Sequence, residues 1–251
     1  MSLRIIIDDA ADAPQDLVDE LQIHVVPINV TFGAEQYYTG LTIDRSGFYE
    51  KVRHVTGADF PKTSQPTPYQ FEQAYRTVLA DGADELIAVT VSEKLSGTYA
   101  SAIAAAEALA GRAKIHVFDS QSGSAAQGLM AVVAARLARQ GQPAAGILEA
   151  LGEMRRNASI YLLIDSLEFA VRGGRVSSLQ SGVASLFHIK PVMTVEDGLI
   201  VPSGRVRTMG KALERIVEKT CEAVGDRPVL LASVHANTVA AGTRLLDMAR
   251  P

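Results

Sequence analysis

The chain has 251 residues, 47% hydrophobic and 21% charged, which is enough apolar material for one large domain or two smaller ones. Lys and Arg number 24 against 28 Asp and Glu, a net charge of −4 with no block of like charge, which gives a nucleic-acid partner no electrostatic footing. One cysteine, Cys221, excludes an internal disulfide and fits a reducing compartment; no signal peptide or bilayer-length apolar run is present, so a soluble, cytoplasmic protein without stable membrane insertion is expected.

Leu3 to Ile7 is an isoleucine-rich buried strand, followed by a helix from about Pro14 to Glu20. Ile23 to Phe32 reads as a single strand, with Val26, Ile28, Val30 and Phe32 on one face. Gly33 to Gln36 form a turn, Tyr37-Tyr38 start a return strand, and Phe48 to Val52 make a short helix. Lys62-Thr63-Ser64-Gln65-Pro66-Thr67-Pro68 leads into a well-marked helix: Thr67 as N-cap, Pro68 first, Gln70 closing a capping box, then Phe71, Ala74, Tyr75 and Val78 at helical spacing.

Leu86 to Val91 is a buried strand ending in Leu95-Ser96-Gly97-Thr98 and a helix to about Ala110. Ile115 to Phe118 is the next strand, ending at Asp119-Ser120, and a helix runs from Gly128 to Arg139. This alternation implies a mostly parallel sheet between helical layers, with ligands beyond the carboxyl ends of its strands. A further helix from about Gln142 reaches Arg155-Arg156-Asn157, where a domain boundary is expected: 1–157 and 158–251. The second part carries strands at Ile160 to Ile164, Ile189 to Val195, Leu199 to Ser203 and Val229 to Val234, with helices at Met209 to Val224 and Thr238 to Ala249, for an α/β domain with a mixed sheet. Glu196-Asp197-Gly198 is a hairpin turn.

Two hydroxyl-rich segments at helix starts, around Thr63-Ser64 and Ser96-Gly97-Thr98, can hold an anion between them, since helix starts carry unpaired N–H groups and partial positive charge. The alternative at each is ordinary capping. Arg172-Gly173-Gly174-Arg175 puts a guanidinium on a turn, either as an anion ligand or as a solvated surface group. Asp8, Asp9 and Asp119 read as caps rather than metal ligands or acid–base groups. His24, His116 and His235 lie in or beside apolar strands and read as packed or edge residues. No nucleophile elbow, phosphate loop or zinc motif is present, and Ser96 has no evident base, so a serine-dependent hydrolase of acyl or phosphate esters is the weaker alternative.

The ordered set Ile7-Asp8-Asp9, Val26-Pro27-Ile28, Thr63-Ser64-Gln65-Pro66, Leu95-Ser96-Gly97-Thr98-Tyr99, Phe118-Asp119-Ser120, Arg172 to Ser177, Ile189-Lys190-Pro191-Val192 and Gly204-Arg205-Val206-Arg207 resembles the DegV family of fatty-acid-binding proteins over nearly the whole chain. The resemblance implies two α/β domains enclosing one acyl chain. The carboxylate would be held by Thr63, Ser96 and Arg175, with Ser64, Gly97 and Thr98 beside them. The family is similar to the lipid-carrying subunit of bacterial fatty acid kinase. A long-chain fatty acid would therefore be the ligand and the kinase's catalytic subunit the partner, in phospholipid metabolism, with no catalytic residue, metal or cofactor in the chain itself. Two departures stand out. Asp9 and Ala10 replace hydroxyl residues, and the family's later glycine-rich segment with a histidine has no match before Pro251, His235 lying too early.

Overall fold

The computed structural model describes residues 2–164, 167–175 and 190–250. Val176 and Ser177 of the Arg172 to Ser177 motif, and Ile189, lie outside the described residues. The chain forms two compact units, Met1–Asn157 and Ala158–Pro251.

In the first unit the elements are β1 (Leu3–Asp8), α1 (Gln15–Leu21), β2 (His24–Val26), β3 (Asn29–Phe32), β4 (Glu35–Tyr38), α2 (Arg45–Arg53), β5 (Lys62–Ser64), α3 (Pro68–Ala80), β6 (Glu85–Thr90), α4 (Thr98–Ala108), β7 (Lys114–Asp119), α5 (Ser124–Arg139) and α6 (Ala144–Asn157). A four-stranded sheet runs in the order β2-β1-β6-β7, every pair parallel. Successive side chains of a strand point to opposite faces, and both faces here are apolar. Ile5, Ile7, Ile87 and Val89 pack with Met130, Ala134, Ile147 and Leu151 of α5 and α6. Ile6, Leu86 and Ala88 pack with Phe71, Tyr75 and Val78 of α3 and Ala102 and Ala105 of α4. That is the three-layer α/β/α arrangement the alternation implies.

The single strand expected from Ile23 to Phe32 is two strands in two sheets. Pro27 has no N–H for a ladder, so the parallel pairing stops at Val26. Ile28 instead exchanges bonds with Thr39: its N–H donates to Thr39 Oγ1 at 2.9 Å and its carbonyl accepts the Thr39 N–H at 3.0 Å. β3 then joins a small antiparallel sheet in the order β4-β3-β5. Val30, Phe32 and Ile43 form its core, with Phe48 and Val52 of α2 against them. Lys62, Thr63 and Ser64 are therefore strand residues, not part of a loop.

The second unit holds β8 (Tyr161–Leu163), α7 (Leu167–Arg172), β9 (Lys190–Glu196), β10 (Leu199–Val206), α8 (Met209–Val224) and α9 (Val239–Ala249). Its sheet runs β10-β9-β8, and the described pairs are antiparallel. Asp197 (φ 49°) and Gly198 (φ 77°) make the tight hairpin between β9 and β10, both in the left-handed region such a turn requires. Val192, Ala212 and Ile216 form the core, with Tyr161, Leu163, Val206 and Leu245 packed on it. Val229 to Val234 is not a strand: it pairs with no described strand, and Val229, Leu230 and Leu231 are exposed. Cys221 is exposed on α8.

Candidate functional site

The carboxyl ends of β1, β6 and β7 are tied by buried polar groups. Asp8 is wholly buried, and its Oδ2 accepts the Val91 N–H at 2.8 Å and the Gln127 Nε2–H at 2.9 Å. Its Oδ1 accepts the Ala10 N–H at 3.1 Å, capping a short 3₁₀ turn as the sequence suggests. Burial pushes the Asp8 carboxyl up, against the pull of those three donors. Gln127 is also fully buried; its Nε2 bonds the Val89 carbonyl as well, and its Oε1 has no partner among the described residues. Burial likewise raises Asp9, while a bond from the Thr39 side chain and the charge of Arg45 oppose the shift.

Asp119 closes the end of β7. Its Oδ1 accepts the N–H groups of Glu93 (3.2 Å) and Gln121 (3.0 Å), and its carbonyl accepts Nη1–H of Arg155 at 3.0 Å. The Arg155 guanidinium lies 5.0 Å from the centroid of the Phe118 ring. The turn between β6 and α4 is thus fastened on both sides: the Ser92 N–H donates to the Ser122 carbonyl at 2.7 Å, and the Ser92 carbonyl accepts the N–H groups of Leu95 and Ser96 at 3.0 and 3.1 Å.

The two helix starts singled out in the sequence differ. α3 is closed by its own capping box, with the Gln70 N–H on Thr67 Oγ1 at 3.3 Å and the Thr67 N–H on Gln70 Oε1 at 2.9 Å. The start of α4 has Gly97 at the N-cap and no side-chain cap. Ser96 does not cap: its hydroxyl and that of the buried Thr98 bond one another at 2.8 Å. An uncapped first turn leaves N–H groups for a ligand, so of these two starts the open one is that of α4.

The two polar segments meet there. An ideal Cβ on Gly97 would lie 2.9 Å from Gln65 Nε2 and 3.2 Å from Gln65 Cδ, so the Gln65 side chain lies against Gly97. Behind it stands Asn29, 6% exposed, whose Nδ2 donates to the Gln65 carbonyl at 2.9 Å and to Gln70 Oε1 at 3.2 Å, while its Oδ1 accepts Gln70 Nε2–H at 3.0 Å. Val30 faces Thr63 and Asn29 faces Ser64 in the ladder, so the two hydroxyl side chains point to opposite faces of the small sheet. Both residues are exposed. Sequence reasoning missed Asn29, Gln70 as its partner, Gln127 and Arg155; the capping-box glutamine was the only signal among them.

Arg175 belongs to the second unit. It is exposed, follows Gly174 (φ 74°), and its Nη1–H donates to the Gly173 carbonyl at 2.5 Å. Arg172 pairs with Glu168 at 3.0 Å.

Among the described residues, no histidine or carboxylate bonds the Ser96 hydroxyl. His116 bonds Glu85 at 2.8 Å, His54 bonds Glu50 at 3.1 Å, and burial lowers His24. Among them no cluster of three or more His, Cys, Asp or Glu is placed to hold a metal, and no helix is long and apolar enough to cross a membrane. Surface hollows of about 460 Å³ near Tyr37, Ile43 and Lys51, and about 370 Å³ near Asp84, Arg112 and Lys114, contain none of the motif residues.

The first unit is thus an α/β/α domain with an open helix start at the carboxyl end of its parallel sheet. A family model described as "Uncharacterised protein, DegV family" matches residues 2–250, and the chain belongs to that family. It is 32% identical over 249 residues to Protein DegV of Bacillus subtilis, covering 98% of this chain and 87% of the relative. The solved structure of DegV from Bacillus subtilis, described as a fatty acid binding protein, matches with a TM-score of 0.87 at 32% identity, over 98% of this chain and 87% of that one. A DegV family protein from Thermus thermophilus, described by its fatty acid binding, matches with a TM-score of 0.81 at 35% identity, over 90% and 79%.

Proposed function

We propose that this chain is a carrier that binds one long-chain fatty acid and presents its carboxylate to a separate kinase for acyl-phosphate formation, in the cytoplasm. The observation that carries the binding reading is the uncapped start of α4, flanked by the Ser96–Thr98 hydroxyl pair and brought against the Thr63–Gln65 segment. The fatty acids bound by the relatives from Bacillus subtilis and Thermus thermophilus support the choice of ligand. The first unit, 1–157, would supply this head-group site and the second, 158–251, would complete the acyl pocket and contribute Arg175.

The energetics suit a carrier. Burying about fourteen methylenes is worth roughly 11 kcal/mol at about 0.8 kcal/mol each, against an association cost on the order of 4–15 kcal/mol. An ionised carboxylate taken out of water needs paired donors. In this reading Ser96, Thr98 and the N–H groups at Gly97 and Thr98 supply them, with one of the opposed hydroxyls of Thr63 and Ser64, and with Arg175. The hydroxyls then bind rather than attack, since nothing described activates Ser96. Retention of palmitate by delipidated protein tests the assignment: Ser96→Ala and Arg175→Ala each lower it, and unchanged retention in both refutes the site.

A further inference from the structure

We propose that Gln65 is a further head-group residue, its carboxamide lying across Gly97 and donating an N–H to the ligand's carboxylate. The proposal rests on the carrier reading and adds to it the residue that sets preference for an anionic head group.

Three observations converge on Gln65. First, its place is fixed from behind. The Gln65 carbonyl accepts from Asn29 Nδ2 at 2.9 Å, the Asn29–Gln70 amide pair is reciprocal, and Pro66 is buried. The main chain at Gln65 is therefore held while its side chain projects toward α4. Second, the side chain is available. It is exposed, and among the described residues its carboxamide makes no hydrogen bond. Third, Gly97 makes room for it. Gly97 has no left-handed φ that would call for glycine, yet a Cβ there would come within 2.9 Å of Gln65 Nε2. Glycine at the N-cap is explained by this approach rather than by backbone conformation.

The chemistry follows. A primary amide offers two N–H donors without adding charge. Beside the uncapped first turn it extends the donor set around a carboxylate without the desolvation cost of another cation. A fatty alcohol gains much less from it, having no charge to receive.

The test compares equilibrium binding of radiolabelled palmitate and hexadecanol to delipidated protein. Gln65→Glu is nearly isosteric and exposed, and it sets a carboxylate against the ligand's own. Palmitate affinity is expected to fall by about tenfold or more, recovering as the pH is lowered, with hexadecanol binding unchanged. Gly97→Ala pushes the flexible amide aside and should weaken palmitate alone, with no additional loss in the Gln65→Ala, Gly97→Ala double variant. Equal losses for both ligands, or no loss for either, overturn the role of Gln65 while leaving the carrier reading intact. A wild-type protein that binds neither ligand overturns the carrier reading and this proposal with it.

Discussion

Replacing Asn29 by alanine tests how the fold delivers the site. Asn29 is 6% exposed and makes three side-chain bonds: to the Gln65 carbonyl, to Gln70 Oε1 and from Gln70 Nε2. In Asn29→Ala the Gln65 carbonyl loses this donor. Gln70 fares better, because its Oε1 still accepts the Thr67 N–H at 2.9 Å and its Nε2 still reaches the Pro27 carbonyl at 3.4 Å. The expected cost is therefore that of about one orphaned group, roughly 1–3 kcal/mol. Asn29→Asp should be worse at neutral pH, since it turns an acceptor oxygen toward the Gln65 carbonyl and buries a charge. Its carboxyl would be pushed up in the fold, so part of that loss returns as the pH falls and the group protonates. Amide exchange at Thr67 reads the local effect and urea denaturation the global one. The Thr67 amide, held on Gln70, should exchange faster in Asn29→Ala, and palmitate should bind more weakly. Wild-type exchange at Thr67, with unchanged palmitate binding, refutes the claim that Asn29 positions this segment.

Two further predictions concern the ties behind the site. Burial raises the Asp8 carboxyl above its value of 3.8 in the unfolded chain, so the fold binds that proton more tightly than the unfolded state does. Its contribution is most favourable below that unfolded value and declines as pH rises through the raised one. Asp8→Asn removes this part of the pH dependence, and identical slopes of stability against pH in variant and wild type would refute it. Arg155→Met keeps the aliphatic cover of Phe118 but loses the bond to the Asp119 carbonyl, and should cost about 1–3 kcal/mol. Arg155→Lys should restore part of it in thermal melts; equal melting of all three proteins would refute the brace.

The parts of the fold visible in the sequence are those written in short-range chemistry. The isoleucines of β1 alternate onto two helical layers, and Thr67, Pro68 and Gln70 mark the start of α3 with the predicted capping box. Pro27 carried its own warning, since a ladder cannot pass it, but the apolar pattern continues on both sides of the break and hides the change of sheet. Residues whose roles depend on distant partners left no local trace. Asn29 and Gln70 are 41 positions apart, and Asp8 and Gln127 are 119. Their places at helix starts suggested that the Thr63 and Ser96 segments hold one anion between them. The side chain that meets Gly97 is Gln65, which no periodicity or capping rule singles out. Val229 to Val234 shows the reverse failure: a convincing strand pattern with no described partner strand.

The most direct measurement is native, then denaturing, mass spectrometry of the protein purified without added lipid. The account predicts an adduct of fatty-acid mass, one per chain, released on denaturation and diminished in Ser96→Ala. An empty protein that also takes up no added palmitate would contradict it.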